Sequence, residues 1–238
     1  MRHIISLNEG WAFLKDVQDV HADRATAEIV NVPHSWNAVD GQDGGNDYFR
    51  GSCLYAKKLV KADLPESDEY YLEINGANSS ADVYLNGEHL AHHDGGYSTW
   101  RVRLTDKLVE ENDLAIVVDN AANETVYPQM ADFTFYGGLY RNVNLICVPK
   151  AHFDLDYFGG PGLAVTPVMD GANANVKVQA YLTNGEGASL KFTLLDKEGN
   201  IVAETTKDDT MAEFTIENAH LWHGRKDPYL YTAKVELL

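Results

Sequence analysis

The sequence predicts an all-β protein, and three observations lead to that prediction. Apolar patterns with the period of a helix are almost absent from its 238 residues. Short runs that alternate between apolar and polar residues recur throughout, and Gly, Asn, Asp and Pro separate them. Runs and separators of this kind are typical of β-sandwiches and β-barrels.

At least six strands are predicted before Pro149. In the run 69–74, Tyr70, Leu72 and Ile74 fall on one face, as expected for a strand with one buried side, and the run 113–119 alternates in the same way. Both are therefore predicted to be half-buried. The other candidate strands of this part are 52–60, a hairpin over 81–91, 99–104 and 142–148.

The hairpin over 81–91 has the clearest local signal. The pair Asn86-Gly87 stands between two strand-like segments. Asn and Gly tolerate the positive φ angles that a two-residue type I′ turn requires. We therefore expect a tight turn at these two residues.

A second domain is predicted to begin after Pro149, where the pattern changes. Candidate strands there are 152–158, 174–182, 189–195, 201–206, 212–216 and 229–238. Short strands at this spacing suit an immunoglobulin-like sandwich. The expected domains are thus 1–149 and 150–238, the second cut at its C-terminal edge, since the strand pattern is still running at Leu238.

Composition limits the partners and the compartment. A formal net charge of −17 and a pI near 4.8 argue against nucleic acid, whose binding relies on Lys and Arg, and favour an uncharged substrate. No apolar run is long enough to span a membrane, and no signal peptide is evident, so a cytoplasmic protein is expected. Cys53 and Cys147 lie in apolar runs, which favours buried thiols over a disulfide.

An ordered series of short motifs carries a family resemblance. The series comprises Asn8 to Phe13, Val32 to Trp36, Tyr48 to Gly51, Ala81 to Gly87, His93 to Tyr97, Asn112 to Asn120, Asp132 to Arg141, and, later, Leu221-Trp222 with Asp227 to Tyr231. This series resembles the sugar-binding N-terminal domain and the following immunoglobulin-like domain of glycoside hydrolase family 2. The resemblance implies a jelly-roll-like β-sandwich followed by an immunoglobulin-like β-sandwich.

The resemblance also implies an activity for a longer parent protein. Family members of this type carry a (β/α)₈ barrel as a third domain, and both carboxyl groups of the retaining mechanism lie on that barrel. The stretch from Asp132 to Arg141 looks most like the β-galactosidase branch. We therefore expect this chain to be the inactive N-terminal part of an enzyme that cleaves terminal β-D-galactosides. The chain would meet this substrate only together with the barrel. Its oligomeric state stays open, and a homo-oligomeric parent is one outcome.

Two alternatives remain open at this point. One is a β-glucuronidase or β-mannosidase parent, because these branches share much of the same plan. The other is a free-standing carbohydrate-binding module with no catalytic partner. A gene that continues for several hundred codons would favour the enzyme over the module.

The resemblance names Asp132 as the leading substrate-binding residue. It places an aspartate of the first domain where it reaches the sugar or an associated monovalent cation once the barrel is present. A carboxylate suits both roles, because it accepts hydrogen bonds from hydroxyl groups and offers hard oxygen to a cation. No cofactor is expected for the 238-residue chain alone, and Na⁺ or Mg²⁺ is the candidate for the full enzyme.

Asn46 and Asp47 are the second pair of candidate substrate-binding residues. They precede the Tyr48 to Gly51 motif, where the first domain of the family contributes another loop. Three glycines upstream make the segment a loop whether or not it binds sugar.

Several other residues are predicted to be structural. His92 and His93 are neighbours on a strand, so they point to opposite faces and cannot share one metal ion. Gly137-Gly138 is expected to provide a tight backbone, and Arg141 an ion pair or a carbonyl clamp. The tryptophans Trp11, Trp36, Trp100 and Trp222 could stack on sugars, but Trp11 and Trp222 are expected in cores or domain contacts.

Overall fold

The computed structural model describes residues 2–38, 40, 47–129 and 134–238. Within these residues the fold is all-β, which confirms the predicted class. The chain divides into two compact units, Met1–Pro149 and Lys150–Leu238.

The first unit is a jelly-roll-like sandwich of two antiparallel sheets. Its strands are β1 (His3–Ser6), β2 (Trp11–Lys15), β3 (Glu28–Val30), β4 (Ser52–Val60), β5 (Glu69–Ile74), β6 (Ser80–Leu85), β7 (Glu88–Asp94), β8 (Trp100–Arg103), β9 (Glu111–Asp119) and β10 (Val143–Val148). One sheet has the order β1-β10-β5-β8 and the other β3-β2-β4-β9-β6-β7. Alternate side chains of both sheets, among them Trp11, Leu72 and Ile116, form the core between them.

The two strands expected to be half-buried are buried on both faces, which corrects that prediction. Ala115 and Val117 of β9 are shielded although they point away from the main core. They form a second apolar cluster with Leu54, against which Val17 and Val20 pack. The connection between β2 and β3 therefore covers the outer face of the central strands.

The predicted hairpin is confirmed as β6 and β7. Asn86 and Gly87 have φ angles of 54° and 82°, both positive, as a type I′ turn requires. The strands are antiparallel, with Leu85 paired to Glu88 on either side of the turn.

The second unit is an immunoglobulin-like sandwich. Its strands are β11 (His152–Phe153), β12 (Leu163–Asp170), β13 (Asn173–Ala180), β14 (Leu182–Thr183), β15 (Leu190–Leu195), β16 (Ile201–Lys207), β17 (Met211–Ile216) and β18 (Thr232–Leu237). Two three-stranded sheets, β12-β13-β17 and β16-β15-β18, enclose a core centred on Val178, Leu190 and Phe192. A short β11-β14 pair completes the unit.

One predicted strand of this unit is shorter than expected, and one strand of the structure was not predicted. The run 152–158 forms a strand only at its first two residues, because the Asp154 carboxylate accepts the backbone N–H groups of Asp156 (2.7 Å) and Tyr157 (3.1 Å) and turns the chain. Strand β12 was not predicted, since it contains Pro167 and is exposed along most of its length.

Both cysteines are free and buried, as predicted. Burial raises the pKa of the Cys53 thiol to about 12 and also raises the pKa of Cys147. The two thiols therefore stay protonated at neutral pH and pack as small apolar side chains.

Candidate functional site

An aromatic cleft lies in the first unit, where the loop that follows β9 meets the loop that follows β3. Its volume is about 440 Å³. The lining residues are Ser35, Ala38, Asn78, Tyr97, Thr134, Phe135, Tyr136 and Tyr140. Small ligands bind in cavities of this size that combine apolar walls with a few polar groups.

Asn78 supplies the polar group at the base of this cleft. Its side chain is buried, and its Nδ2 donates to the backbone oxygen of Tyr136 at 2.6 Å. Its Oδ1 accepts a hydrogen bond from the hydroxyl of Tyr127. Tyr127 and Tyr136 both belong to the loop after β9, so these two contacts hold Asn78 against that loop.

Aromatic rings form the walls of the cleft. The Tyr127 ring lies 5.0 Å from the Tyr97 ring and 5.8 Å from the Phe135 ring, centroid to centroid. Tyr97 and Tyr136 expose 56% and 46% of their surface, so their rings are open to a ligand. Because the C–H face of a pyranose packs on a ring as apolar surface does, these side chains can stack on a sugar.

Tyr127 and Tyr140 remain neutral phenols. Burial raises the pKa of Tyr127, and it does the same for Tyr140. The Tyr140 hydroxyl donates to the backbone oxygen of Gly96 at 2.5 Å. Their hydroxyl groups therefore act in hydrogen bonding and not as bases at neutral pH.

Gly137 and Gly138 bring the backbone close to the rest of the unit, as predicted. A Cβ atom on Gly137 would lie 1.9 Å from Cζ2 of Trp36. Gly138 has φ +127°, and a Cβ there would lie 2.4 Å from the backbone oxygen of His34. Side chains at these two positions would therefore displace the loop that lines the cleft.

Arg141 is a carbonyl clamp, one of the two roles predicted for it. Its Nη1 donates to the backbone oxygens of Tyr97 at 2.9 Å and Asn75 at 3.4 Å. The clamp fixes the segment that presents the Tyr97 ring to the cleft.

His92 lies between two aspartates of the hairpin β6–β7. His92 bridges Asp82 (3.0 Å) and Asp94 (3.1 Å), whereas His93 points away and stacks on Trp100 at 4.8 Å between ring centroids. In the described part of the chain, no group of three or more His, Cys, Asp or Glu side chains could hold a metal ion. The two histidines thus point to opposite faces of their strand, as their neighbouring positions predicted.

The second unit contains an apolar depression of about 420 Å³. Leu221, Trp222 and Leu230 line it and expose 57%, 63% and 65% of their surface. Trp222 is therefore not a core residue, which corrects one of the two places predicted for it. Trp11, in contrast, is fully buried and donates from Nε1 to the backbone oxygen of Leu7 at 2.7 Å.

The residues predicted to bind substrate are only partly described. Asp132 and Asn46 lie outside the described residues. Asp47 is exposed, and its carboxylate accepts the backbone N–H of Tyr48 at 2.9 Å. It does not line the cleft.

Sequence reasoning missed the tyrosines of the cleft. Tyr97, Tyr136 and Tyr140 all lie in motifs that carry the family resemblance, and their density in those motifs was the available signal. Asn78 could not have been found, because its role depends on contacts with residues 49 and 58 positions away.

No helix in the described residues is long and apolar enough to cross a membrane.

Two family descriptions match this chain side by side. The galactose-binding domain-like description of glycosyl hydrolase 2 matches residues 47–161, and the glycosyl hydrolases family 2 description matches residues 161–238. The chain belongs to glycoside hydrolase family 2. It corresponds to the N-terminal region of that family.

The relatives of this chain include proteins named β-glucuronidase and proteins named β-galactosidase. A putative β-glucuronidase from Formosa agariphila is 31% identical over 98% of this chain, and a β-glucuronidase from Bacteroides fragilis is 29% identical over 99%. A β-galactosidase from Thermoanaerobacterium thermosulfurigenes is also 29% identical over 99%. This chain spans 29%, 35% and 35% of these relatives, so it is about a third of their length.

Solved structures of family 2 enzymes share the fold over the whole chain. An FMN-binding β-glucuronidase from Facaelibacterium prausnitzii L2-6 has a TM-score of 0.88 and 40% identity, and the match covers 100% of this chain and 37% of that one. A putative β-galactosidase from Bacteroides fragilis has the same TM-score and 30% identity, with 100% and 39% coverage.

Proposed function

We propose that this chain is the non-catalytic N-terminal part of a longer family 2 enzyme that hydrolyses β-D-glucuronides by a retaining mechanism. The observation that carries the proposal is the 40% identity, over the whole chain, to a solved β-glucuronidase. The putative β-galactosidase that aligns over the same length is 30% identical. The β-galactosidase parent, which the sequence motifs and the expectation of an uncharged substrate both favoured, becomes the second candidate.

The aromatic cleft gives this chain a part in substrate binding. The exposed rings of Tyr97 and Tyr136 offer faces on which a sugar can stack, and the amide of Asn78 offers a polar group in the cleft. The two carboxyl groups of a retaining glycosidase stand about 5 Å apart on a barrel. In this proposal the barrel follows the two sandwiches and the cleft forms one wall of the pocket.

The cleft alone does not distinguish the two candidate substrates. Among the lining residues that the structure describes, none is Lys or Arg, so this part of the lining offers no cation to the carboxylate of a glucuronide. We infer that a positive group from another part of the full-length protein recognises that carboxylate. A galactoside would need no such group.

A panel of 4-nitrophenyl glycosides tests the choice of substrate. The full-length protein is expected to hydrolyse the β-D-glucuronide with a kcat/KM at least a hundredfold above that for the β-D-galactoside, because recognition of a charged group in a dry pocket discriminates strongly. Release of 4-nitrophenol measures both rates. A preference for the galactoside would replace the first candidate by the second, and hydrolysis of neither would refute both.

Asp132 is proposed to contact the sugar in the full-length protein. We expect Asp132→Ala to lower kcat/KM about a hundredfold, the scale on which loss of a substrate-positioning contact acts. The control is Asp209→Ala, which removes an exposed aspartate from the second unit and should leave kcat/KM unchanged. Equal activity in the two variants, with unchanged melting temperatures, would make Asp132 an ordinary loop residue.

A cation at Asp132 stays a separate proposal. Na⁺ or Mg²⁺ would need further oxygen ligands from the rest of the full-length protein, since the described residues contain no cluster suited to a metal. No step of the proposed reaction depends on such an ion.

A further inference from the structure

Two asparagine side chains are completely buried at the edge of the first unit. Asn37 lies in the loop between β3 and β4, and Asn120 directly follows β9. Nδ2 of Asn120 donates to Oδ1 of Asn37 at 3.1 Å. A buried amide destabilises a protein unless its donors and acceptors have partners, so the partners of these two side chains are informative.

Asn37 bonds to both loops. Its Nδ2 donates to Oδ2 of Asp40 and to the backbone oxygen of Phe49, each at 2.9 Å. Its Oδ1 also accepts the backbone N–H of Gly137 at 2.8 Å. The Asn37 side chain thus joins Phe49, near the end of the loop after β3, to Gly137 in the loop after β9.

Asn120 repeats this pattern from the other side. Its Nδ2 donates to the backbone oxygens of Phe49 at 3.3 Å and Phe135 at 3.2 Å. Its Oδ1 accepts the backbone N–H of Gly51 at 2.9 Å. Phe49 therefore receives hydrogen bonds from both asparagines.

Asp40 strengthens the same junction. Its Oδ2 accepts the backbone N–H of Phe49 at 3.0 Å and lies 3.7 Å from Nζ of Lys15. The hydrogen bond from Phe49 is the main cause that holds the pKa of Asp40 below its ordinary value, so the carboxylate stays charged at neutral pH.

The hydrogen bonds end at the wall of the aromatic cleft. Asn37 adjoins the lining residue Ala38, and Asn120 holds the backbone of the lining residue Phe135. The Gly137 amide, bound by Asn37, directly follows the lining residue Tyr136.

We propose that Asn37 and Asn120 are positioning residues that act as one unit, lock the described parts of the two loops in a single arrangement and so set the shape of the cleft. For the enzyme this deepens, and rests on, the proposed function. A buried polar network with every member partnered specifies one arrangement, because any shifted arrangement leaves polar groups without partners. A sugar pocket requires that constancy, since small displacements of positioning groups lower rates strongly.

Amide hydrogen exchange in the full-length protein tests the locking without reference to activity. Asn37→Ala should speed exchange at the Gly137 amide, which it releases, at least tenfold. It should also speed exchange at the Gly51 amide, which is bound to Asn120, to a similar degree. Unchanged exchange at Gly51 would overturn the claim that the pair acts as one unit. Asn37→Ser, which leaves a hydroxyl group, serves if the alanine variant does not fold.

Asn112 provides a matched control within the same unit. It is also buried, and its Nδ2 donates to the backbone oxygens of Val109 at 2.8 Å and Leu59 at 3.3 Å, but neither of these partners lines the cleft or adjoins a lining residue. Asn112→Ala should lower the melting temperature by a similar amount and leave exchange at Gly51 and Gly137 unchanged.

Kinetics on the same variants test the consequence for the cleft. At a temperature well below unfolding, Asn37→Ala and Asn120→Ala should each lower kcat/KM at least tenfold, with a raised KM, whereas Asn112→Ala stays within twofold. The double variant should lose little more than either single variant, as expected for coupled residues. Variants that match Asn112→Ala in kcat/KM would overturn the positioning role.

The two sets of results separate this inference from the proposed function. If the wild-type protein hydrolyses no glycoside, the proposed function fails, while exchange at Gly51 still decides whether the two asparagines lock the loops together. If the wild-type protein is active and only the exchange result is negative, the asparagines are independent structural residues.

Discussion

Arg101→Met is expected to destabilise the first unit by about 3–5 kcal/mol at pH 7, the usual effect of removing one partner of a buried ion pair. Arg101 and Glu73 are directly paired across β8 and β5, and their side chains are 5% and 9% exposed. Nε and Nη2 of Arg101 lie 2.8 Å and 2.7 Å from Oε2 of Glu73. The variant leaves that buried carboxylate without the cation that is hydrogen-bonded to it, although the more distant charge of Arg2 still acts on it.

The effect of Arg101→Met should shrink in acid. Burial acts to raise the pKa of Glu73, but hydrogen bonds from Asn144 and Arg101 and the charge of Arg101 outweigh it and bring the pKa below its ordinary value. Because the folded-state pKa is lowered, the stabilisation is present above the unfolded-state pKa of about 4.3 and is lost as the pH falls through the folded-state value. The difference between wild type and variant should therefore be largest near pH 7 and smallest near the acid limit.

Urea unfolding followed by tryptophan fluorescence measures this effect, since Trp11, Trp36 and Trp100 all lie in the first unit. The control is Arg103→Met on the same strand. Arg103 is 41% exposed and pairs with Glu69 and Asp106, so its loss should cost less than about 1 kcal/mol. Equal losses of unfolding free energy in the two variants would show that the buried pair stabilises the unit no more than the exposed pairs do.

Gly138→Ala is expected to cost about 3–5 kcal/mol, through backbone strain and overpacking together. At φ +127° a Cβ would lie 2.4 Å from the backbone oxygen of His34 and 3.0 Å from the hydroxyl of Tyr55. The first neighbour is backbone and cannot rotate away. Gly138 also exchanges backbone hydrogen bonds with Asn78, so a shift there would move the base of the cleft.

The control for this variant is Gly10→Ala. Gly10 also has a positive φ, +69°, but the nearest atom to its Cβ position is Nζ of Lys57 at 3.9 Å. Strain without a clash should cost about 1 kcal/mol. The same urea unfolding experiment compares the two, and a Gly138→Ala loss no larger than that of Gly10→Ala would contradict the close packing at this position.

Local patterns in the sequence predicted those parts of the fold that depend on neighbouring residues. Asn86-Gly87 encodes its own turn, and the strands 52–60 and 69–74 were predicted with the bounds they have in the structure. The covering of β9 by Val17 and Val20 could not be predicted, because it depends on where a distant loop folds back. Strand β12 could not be predicted either. Pro167 is a local signal against a strand, whereas β12 forms because it pairs with β13.

The candidate site was less accessible to sequence reasoning than the fold. Motif resemblance pointed to the segment from Asp132 to Arg141, and part of that segment does line the cleft. The buried hydrogen bond between Asn37 and Asn120 joins residues 83 positions apart in the chain, and polar residues in loops usually face water. Nothing in their local sequence distinguishes these asparagines from exposed ones.

The non-catalytic role of the two domains can be tested by the rate of hydrolysis of a chromogenic β-D-glucuronide. The rate is measured for the full-length protein and for the isolated 238-residue chain at equal concentration. We expect turnover by the full-length protein and none above the blank by the isolated chain, because in the proposed enzyme the two catalytic carboxyl groups belong to the barrel. Turnover by the purified chain alone would contradict the non-catalytic role proposed for these two domains.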